Sequence, residues 1–349
     1  KALGQHFLVD LNIARKICDA LSGGVRPEAG AETRAVAAGS ADADAETRTR
    51  VAGYAGAGAE ARTMAAGSAD AGAEARTKAT GTADADAETR RGVAASADAR
   101  LAADTTAAGA PAAAEEERSG AVPCDVLEVG CGMGVLTQFL LRRGDITTYG
   151  AEIDPESVEY LHAHFPEFAP RLIEGDFLKM NLRERFPRGL KIIGNFPYNI
   201  SSQIFFKVLE HRDLVPECVG MIQKEVAVRI AEPPGSKEYG ILSVLLQAWY
   251  DIEYLFTVNE TVFNPPPKVK SAVIRLRRNS VGRLGCDEAL FVKVVKASFG
   301  QRRKMIRNSL RAVFGDFGGA EHPFFTQRAE QLSVADFVQL TDWVAANRK

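Results

Sequence analysis

Between Val25 and Pro123 the chain contains no Phe, Trp or Ile, and the quartets AETR, AETR, AEAR, AEAR and AETR begin at residues 31, 45, 59, 73 and 87. This fourteen-residue repeat decides which part of the 349-residue chain can build a core. Its two-heptad period and abundant alanine would suit a helix, but the seam would be Ala with recurrent Gly, Ser and Asp. So little apolar surface does not offset the entropy of ordering the chain. Residues 25–123 are therefore expected to be a disordered insertion with transient helix. The other 250 residues have the length and apolar content of a compact enzyme.

The formal charge of -2 averages two unlike parts. The repeat segment carries 11 Lys+Arg against 16 Asp+Glu, whereas the remainder carries 32 against 29. An acidic insertion thus masks a mildly basic protein. No run is apolar enough for a membrane span, and "KALGQHFLVD" lacks the apolar core of a signal peptide, so a cytoplasmic, membrane-free protein is expected. The five cysteines form no C-x-x-C pair, and His162 and His164 stand two apart, on different sides of a helix. No metal is expected.

Outside the insertion, strand and helix patterns alternate. "LNIARKICDALS" has helical spacing, "CDVLEVGCGMGVLTQFLLRRG" passes from strand through a glycine turn into helix, and "TTYGAEID" and "PESVEYLHAHF" repeat the alternation. "RLIEGDF", "LKIIGNFPY", "ECVGMIQKEVAVRI", "GILSVLLQAWYDIEYLF" and "SAVIRLRR" continue it. This is the pattern of a doubly wound α/β sheet. From about Gly285 only helical periodicity remains, in "ALFVKVVKASF", "QRRKMIRNSLRAVF" and "SVADFVQLTDWVAANR". The expected organisation is an N-terminal segment with the first helix (1–24), the insertion (25–123), a Rossmann-like α/β domain (124–284) and a small all-helical C-terminal domain (285–349).

The turn "EVGCGMG" places Gly130, Gly132 and Gly134 at the carboxyl end of the first sheet strand, where such sheets bind ligands. A dinucleotide fingerprint would need its third glycine at Val135, and no phosphate-binding Lys follows as in a P-loop. Glu152, about twenty residues on, ends the next strand, where a carboxylate can accept from both ribose hydroxyls. Asp176 ends the strand after that and can accept from a purine amine. Acidic residues at strand ends are also ordinary turn and cap residues. Three features at successive strand ends point to a nucleoside without a pyrophosphate, and S-adenosylmethionine fits.

In "KIIGNFPYNIS" an apolar strand stops at Gly194, and Asn195, Phe196, Pro197 and Tyr198 follow. Pro197 cannot donate to a sheet ladder and biases Phe196 away from helix. An adenine exocyclic amine is a poor nucleophile because its lone pair is delocalised into the ring. The Asn195 side-chain carbonyl and the Phe196 backbone carbonyl offer acceptors for its two hydrogens, localising the lone pair and stabilising the positive charge that develops. Pro197 would hold that geometry, and Tyr198 would stack on an extracted base. Alone, the stretch would also suit an ordinary strand-ending turn.

"LGQHFLVD", "VLEVGCGMGVLT", "GNFPYNIS", "MIQKEVAVRIAEPPGSKEYGILSV", "FNPPPKVKSAVIRL" and "FGQRRKMIRNSL" together resemble the KsgA-type small-subunit ribosomal RNA adenine dimethyltransferases. The resemblance covers nearly all of the chain except the insertion. It implies a Rossmann-like S-adenosylmethionine methyltransferase sheet and transfer of four methyl groups to two adjacent adenosines near the 3′ end of small-subunit RNA, within an assembling subunit. It also implies that the N-terminal segment closes on the cofactor, with His6 and Leu8 in contact beside Gly130, Gly132, Glu152, Asp176 and Asn195. Position six is often Asn in the family, so His6 would act through its backbone or a ring nitrogen. The "FNPPPKVKS" loop is implied to border the target base, with Phe263 stacking there.

Arg302, Arg303, Lys304, Arg307 and Arg311 are candidates for RNA phosphate contacts, with Arg303, Arg307 and Arg311 expected to share one helix face. The same charges also suit a solvated helix surface. Three other functions fit parts of the pattern: a large-subunit RNA adenine methyltransferase conferring antibiotic resistance, a noncatalytic assembly or transcription factor on the same fold, and an adenine DNA methyltransferase. "RRKMIRNSL" speaks against the first, the retention of Glu152, Asp176 and Asn195 against the second, and the helical C-terminal part against the third.

Overall fold

A computed structural model describes residues 6–23 and 123–348, so the repeat insertion, with the expectation placed on it, lies outside the described residues except for Pro123. In chain order the elements are β1 (Phe7–Leu8), α1 (Leu11–Asp19), β2 (Cys124–Val129), α2 (Thr137–Leu140), β3 (Ile146–Glu152), α3 (Pro155–His164), β4 (Leu172–Glu174) and α4 (Leu182–Arg185). They continue with β5 (Lys191–Asn195), α5 (Ser201–Glu210), β6 (Glu217–Gln223), α6 (Lys224–Ala231), α7 (Ile241–Gln247), β7 (Tyr250–Val258), β8 (Phe263–Asn264) and β9 (Ser271–Arg278). The last three are α8 (Glu288–Gly300), α9 (Ile306–Phe314) and α10 (Val334–Asn347).

Seven strands form one sheet in the order β4-β3-β2-β5-β6-β9-β7. The β4 to β6 block is parallel, and β9 and β7 run antiparallel at one side. The expected α/β class is observed. Alternation of side chains sends Val126, Ile193, Val219 and Val273 to one face, packed with Ile17 and Leu21 of the first helical segment and Leu140 of α2. Leu127, Ile192, Cys218 and Ile274 go to the other face, packed with Phe205 of α5 and Leu245 of α7. Burial on both faces is why β2 reads as six consecutively buried residues, CDVLEV.

The apolar cluster on the second face continues past residue 284: Phe291 of α8 meets Trp249 edge-on, with ring centroids 6.0 Å apart. Helix starts follow local chemistry. Asp10 accepts from the Asn12 and Ile13 amides, Asp154 caps α3 with Pro155 behind it, and Ser333 with Asp336 forms a capping box on α10.

One expected helix is shorter than its sequence period. "QRRKMIRNSLRAVF" is helical only from Ile306, because Met305 is extended (φ -65°, ψ 152°). Arg303 therefore sits in the α8–α9 turn and does not share a helix face with Arg307 and Arg311. A tertiary anchor overrides the local pattern: Arg302 donates to the carbonyls of Lys237 and Tyr239, and the Ile306 amide donates to Gln327. The helix expected after the glycine turn is α2, four residues long between turns.

Strand order reverses between β2 and β5, a switch point at which parallel sheets open a crevice at their carboxyl ends. At the opposite, amino edge, Lys191 at the start of β5 and Glu217 at the start of β6 form a buried pair at 3.0 Å. Lys191 also donates to the Ser22 and Gly23 carbonyls. The chain thus leaves the described residues at the amino edge and returns there at Pro123.

Candidate active site

A cleft opens at the carboxyl ends of β2, β3 and β5. The glycine turn forms its floor. Gly130 and Gly132 take φ of 76° and 52°, a region that disfavours a side chain, and bring bare backbone against the cleft. A Cβ on Gly134 would sit 2.5 Å from the Phe165 ring, so this third glycine serves packing behind the turn.

Glu152 is buried at the end of β3 and fastens the turn. It accepts from the Gly132 amide at 2.8 Å and from the Ile153 and Asp154 amides at 2.9 Å. Asp176 is placed differently from Glu152. It caps a short 3-10 turn by accepting from the Leu178 amide at 2.9 Å, and it does not line the cleft. Buried Lys207 of α5 braces that turn, donating to the Leu178 and Met180 carbonyls.

Asn195, Phe196, Pro197 and Tyr198 all line the cleft where β5 ends. The Asn195 side-chain amide donates to the His6 backbone carbonyl at 3.3 Å, which identifies its nitrogen and leaves Oδ1 as the acceptor. Phe196 donates its backbone amide to Met221 and buries its ring completely against Phe205. Room for that ring comes from Gly194 and Gly220, where a Cβ would approach it to 2.8 and 2.5 Å. The ring is an anchor that turns the backbone, while Tyr198 remains beside the cleft. Tyr198 shares a 2.6 Å hydrogen bond with Ser271 at the start of β9, and burial raises its phenol above the ordinary range.

The N-terminal segment closes the cleft. His6 and Leu8 line it, and β1 is held by antiparallel pairing with β8, Leu8 opposite Phe263. His6 Nδ1 donates to the Pro265 carbonyl at 2.8 Å, so the His6 ring and backbone hold the loop and Asn195 respectively. Phe263, expected to stack on a base, is 4% exposed in the apolar core and does not line the cleft. Its role is to seat Leu8.

Glu128 belongs to the site although no motif in the sequence singles it out. It is 1% exposed, lines the cleft, accepts from the Thr137 hydroxyl at 2.6 Å, and is pushed up to about 8 by burial. The signal was present as a carboxylate inside the otherwise apolar strand VLEV. Among the described residues no group of three or more His, Cys, Asp or Glu is placed to hold a metal ion, and no helix is long and apolar enough to cross a membrane.

Of the candidate RNA contacts, Arg307 pairs with Glu321 and Arg311 with Asp316 at 3.2 Å. Arg303 and Lys304 are exposed.

The family profile described as ribosomal RNA adenine dimethylase matches residues 123–346. The chain is 61% identical over 218 residues to "Ribosomal RNA small subunit methyltransferase A" of Parabacteroides distasonis, covering 62% of this chain and 81% of that protein. It is 59% identical over 220 residues to the protein of the same name from Porphyromonas gingivalis, covering 62% and 84%. A crystal structure of a dimethyladenosine transferase from Plasmodium falciparum superposes with a TM-score of 0.54 at 26% identity, covering 64% of this chain and 90% of that one.

Proposed function

Because the chain belongs to the ribosomal RNA adenine dimethylase family, we propose that it dimethylates two adjacent adenosines near the 3′ end of small-subunit ribosomal RNA. S-adenosylmethionine is the methyl donor and the assembling small subunit, in the cytoplasm, the substrate particle. The observation that carries this reading is the Asn195 amide, whose nitrogen is committed to His6 so that Oδ1 is the free acceptor beside the cleft.

The residues fit this cofactor. Bare glycine backbone at Gly130 and Gly132, a buried carboxylate at Glu152 and a second carboxyl at Glu128 converge on one cleft, with no phosphate-binding Lys in the turn. Glu152 and Gly130 would hold it, with Leu8 and His6 covering it and Asp176 reached from the neighbouring turn. When bound, it supplies an electrophilic methyl group on a sulfonium.

The protein's part is to prepare the amine. Asn195 Oδ1 and the Phe196 carbonyl each accept one hydrogen of the adenosine N6 amine, drawing its lone pair out of conjugation. Positive charge then develops on nitrogen against two fixed dipoles, a preorganised stabilisation. A strong base is not needed, since the proton is lost to water once the amine has become an ammonium. Tyr198, fixed by Ser271, offers its ring to the extracted base. Exposed Arg303 and Lys304 are offered to RNA phosphates.

Nucleoside analysis of ribosomal RNA after incubation with protein and labelled cofactor tests the reading. Dimethyladenosine in small-subunit RNA is expected. Label confined to large-subunit RNA would favour the antibiotic-resistance type of activity.

A further inference from the structure

Phe139 of α2 has two guanidinium groups near its ring. The Arg15 guanidinium carbon lies 5.4 Å from its ring centroid and that of Arg142 lies 5.8 Å away. Arg15 and Arg142 are both exposed, as is Lys16 beside them. Among the described residues eight other arginines pair with a carboxylate, among them Arg143 with Asp145, Arg183 with Asp213 and Arg212 with Glu288. Among the described residues no carboxylate pairs with Arg15, Lys16 or Arg142, although Asp19 stands one turn along α1 from Arg15.

Two cations drawn to one ring with no anion between them repel each other, and the ring face offsets only part of that cost. A guanidinium stacked on an aromatic ring keeps its N–H edge free, and that edge matches phosphate oxygens bidentately. The location also suits a long polyanion. α1 begins three residues after cleft-lining Leu8, and Arg142 adjoins Arg143, which donates to the Leu21 and Ser22 carbonyls toward the amino edge, so the pair lies on the flank of the sheet between the cleft and that edge. We propose that Arg15 and Arg142, mounted on Phe139, form a phosphate clamp for the ribosomal RNA backbone, separate from the α8–α9 turn. The proposal rests on the ribosomal RNA reading above.

The test measures binding of a small-subunit RNA fragment containing the 3′-terminal adenosine pair across a salt series, for the wild type and for Arg15→Gln/Arg142→Gln. Loss of two phosphate contacts should flatten the slope of log affinity against log salt by about 1.4 to 1.8. S-adenosylhomocysteine affinity and the thermal midpoint should be unchanged. Phe139→Leu, which keeps both charges but removes their platform, should weaken binding severalfold with most of the slope retained. Should the double variant lose its fold, Arg142→Gln alone is expected to flatten the slope by about half as much. An unchanged slope in a variant whose wild type methylates the RNA overturns the clamp and leaves the function standing. A wild type that neither binds the fragment nor methylates small subunits lacking the modification overturns both.

Discussion

The side-chain amide of Asn195 donates to the backbone carbonyl of His6, 189 residues away in sequence, at 3.3 Å. One hydrogen bond thus joins the closing N-terminal segment to the acceptor that prepares the substrate amine. Asn195→Ala removes both and should lower the single-turnover methylation rate by about 10²- to 10³-fold, the usual effect of losing one preorganised dipole. Asn195→Asp should be nearly as damaging, because a carboxylate faces the His6 carbonyl without a hydrogen to donate. Near-normal single-turnover rates for either variant would refute the role.

Tyr198 is held at its hydroxyl by Ser271 and offers its ring to the base. Tyr198→Phe should keep most activity, since the ring remains, while Tyr198→Ala should lose use of RNA and keep cofactor affinity. Calorimetry with S-adenosylhomocysteine beside methylation kinetics separates the two. Equal loss of cofactor binding in Tyr198→Ala would move the residue into the cofactor site.

Burial pushes the Glu128 carboxyl from 4.5 up to about 8, the Thr137 hydroxyl bond offsetting part of that rise. Between those values the folded chain keeps a proton that the unfolded chain releases. Stability therefore falls as pH rises through this window and levels off above it. Glu128→Gln removes the titration and can still accept from Thr137. Its thermal midpoint relative to wild type should rise steadily from about pH 5 to about pH 8.5. A difference that does not change with pH would show that Glu128 is ionised throughout.

The parts of the site that were legible in sequence are those built from contiguous residues. Gly130 to Gly134, Glu152 and Asn195 to Tyr198 each sit at the end of a strand whose own pattern announces it, and the parallel topology alone brings them together. Phe263 was misread because its neighbours are set by pairing with Leu8, a contact between residues 255 apart that no local pattern encodes. Arg303 was misplaced because carbonyls of Lys237 and Tyr239 capture Arg302 and stop the helix. Glu128 was overlooked because a strand reading treats an isolated polar residue as noise.

The described chain leaves at Gly23 and resumes at Pro123, and these ends are neighbours. A Cβ on Gly23 would lie 3.5 Å from Asp145, and Ile146 pairs with Cys124. Both lie at the amino edge, away from the cleft. Replacing residues 25–123 with a short Gly/Ser linker should therefore leave the thermal midpoint, cofactor affinity and methylation of isolated small subunits nearly intact, since closure entropy changes only with the logarithm of loop length. A large fall in activity at an unchanged midpoint would instead assign the repeats a part in substrate recognition.

The most direct test of the central claim is mass spectrometry of small-subunit RNA, taken from subunits lacking the modification and incubated with the protein and S-adenosylmethionine. One RNA fragment near the 3′ end is expected to gain four methyl groups, two on each of two adjacent adenosines, with none gained in the presence of the Asn195→Ala protein. Methyl groups on large-subunit RNA instead, or an unmodified small-subunit RNA with active cofactor and folded protein, would contradict it.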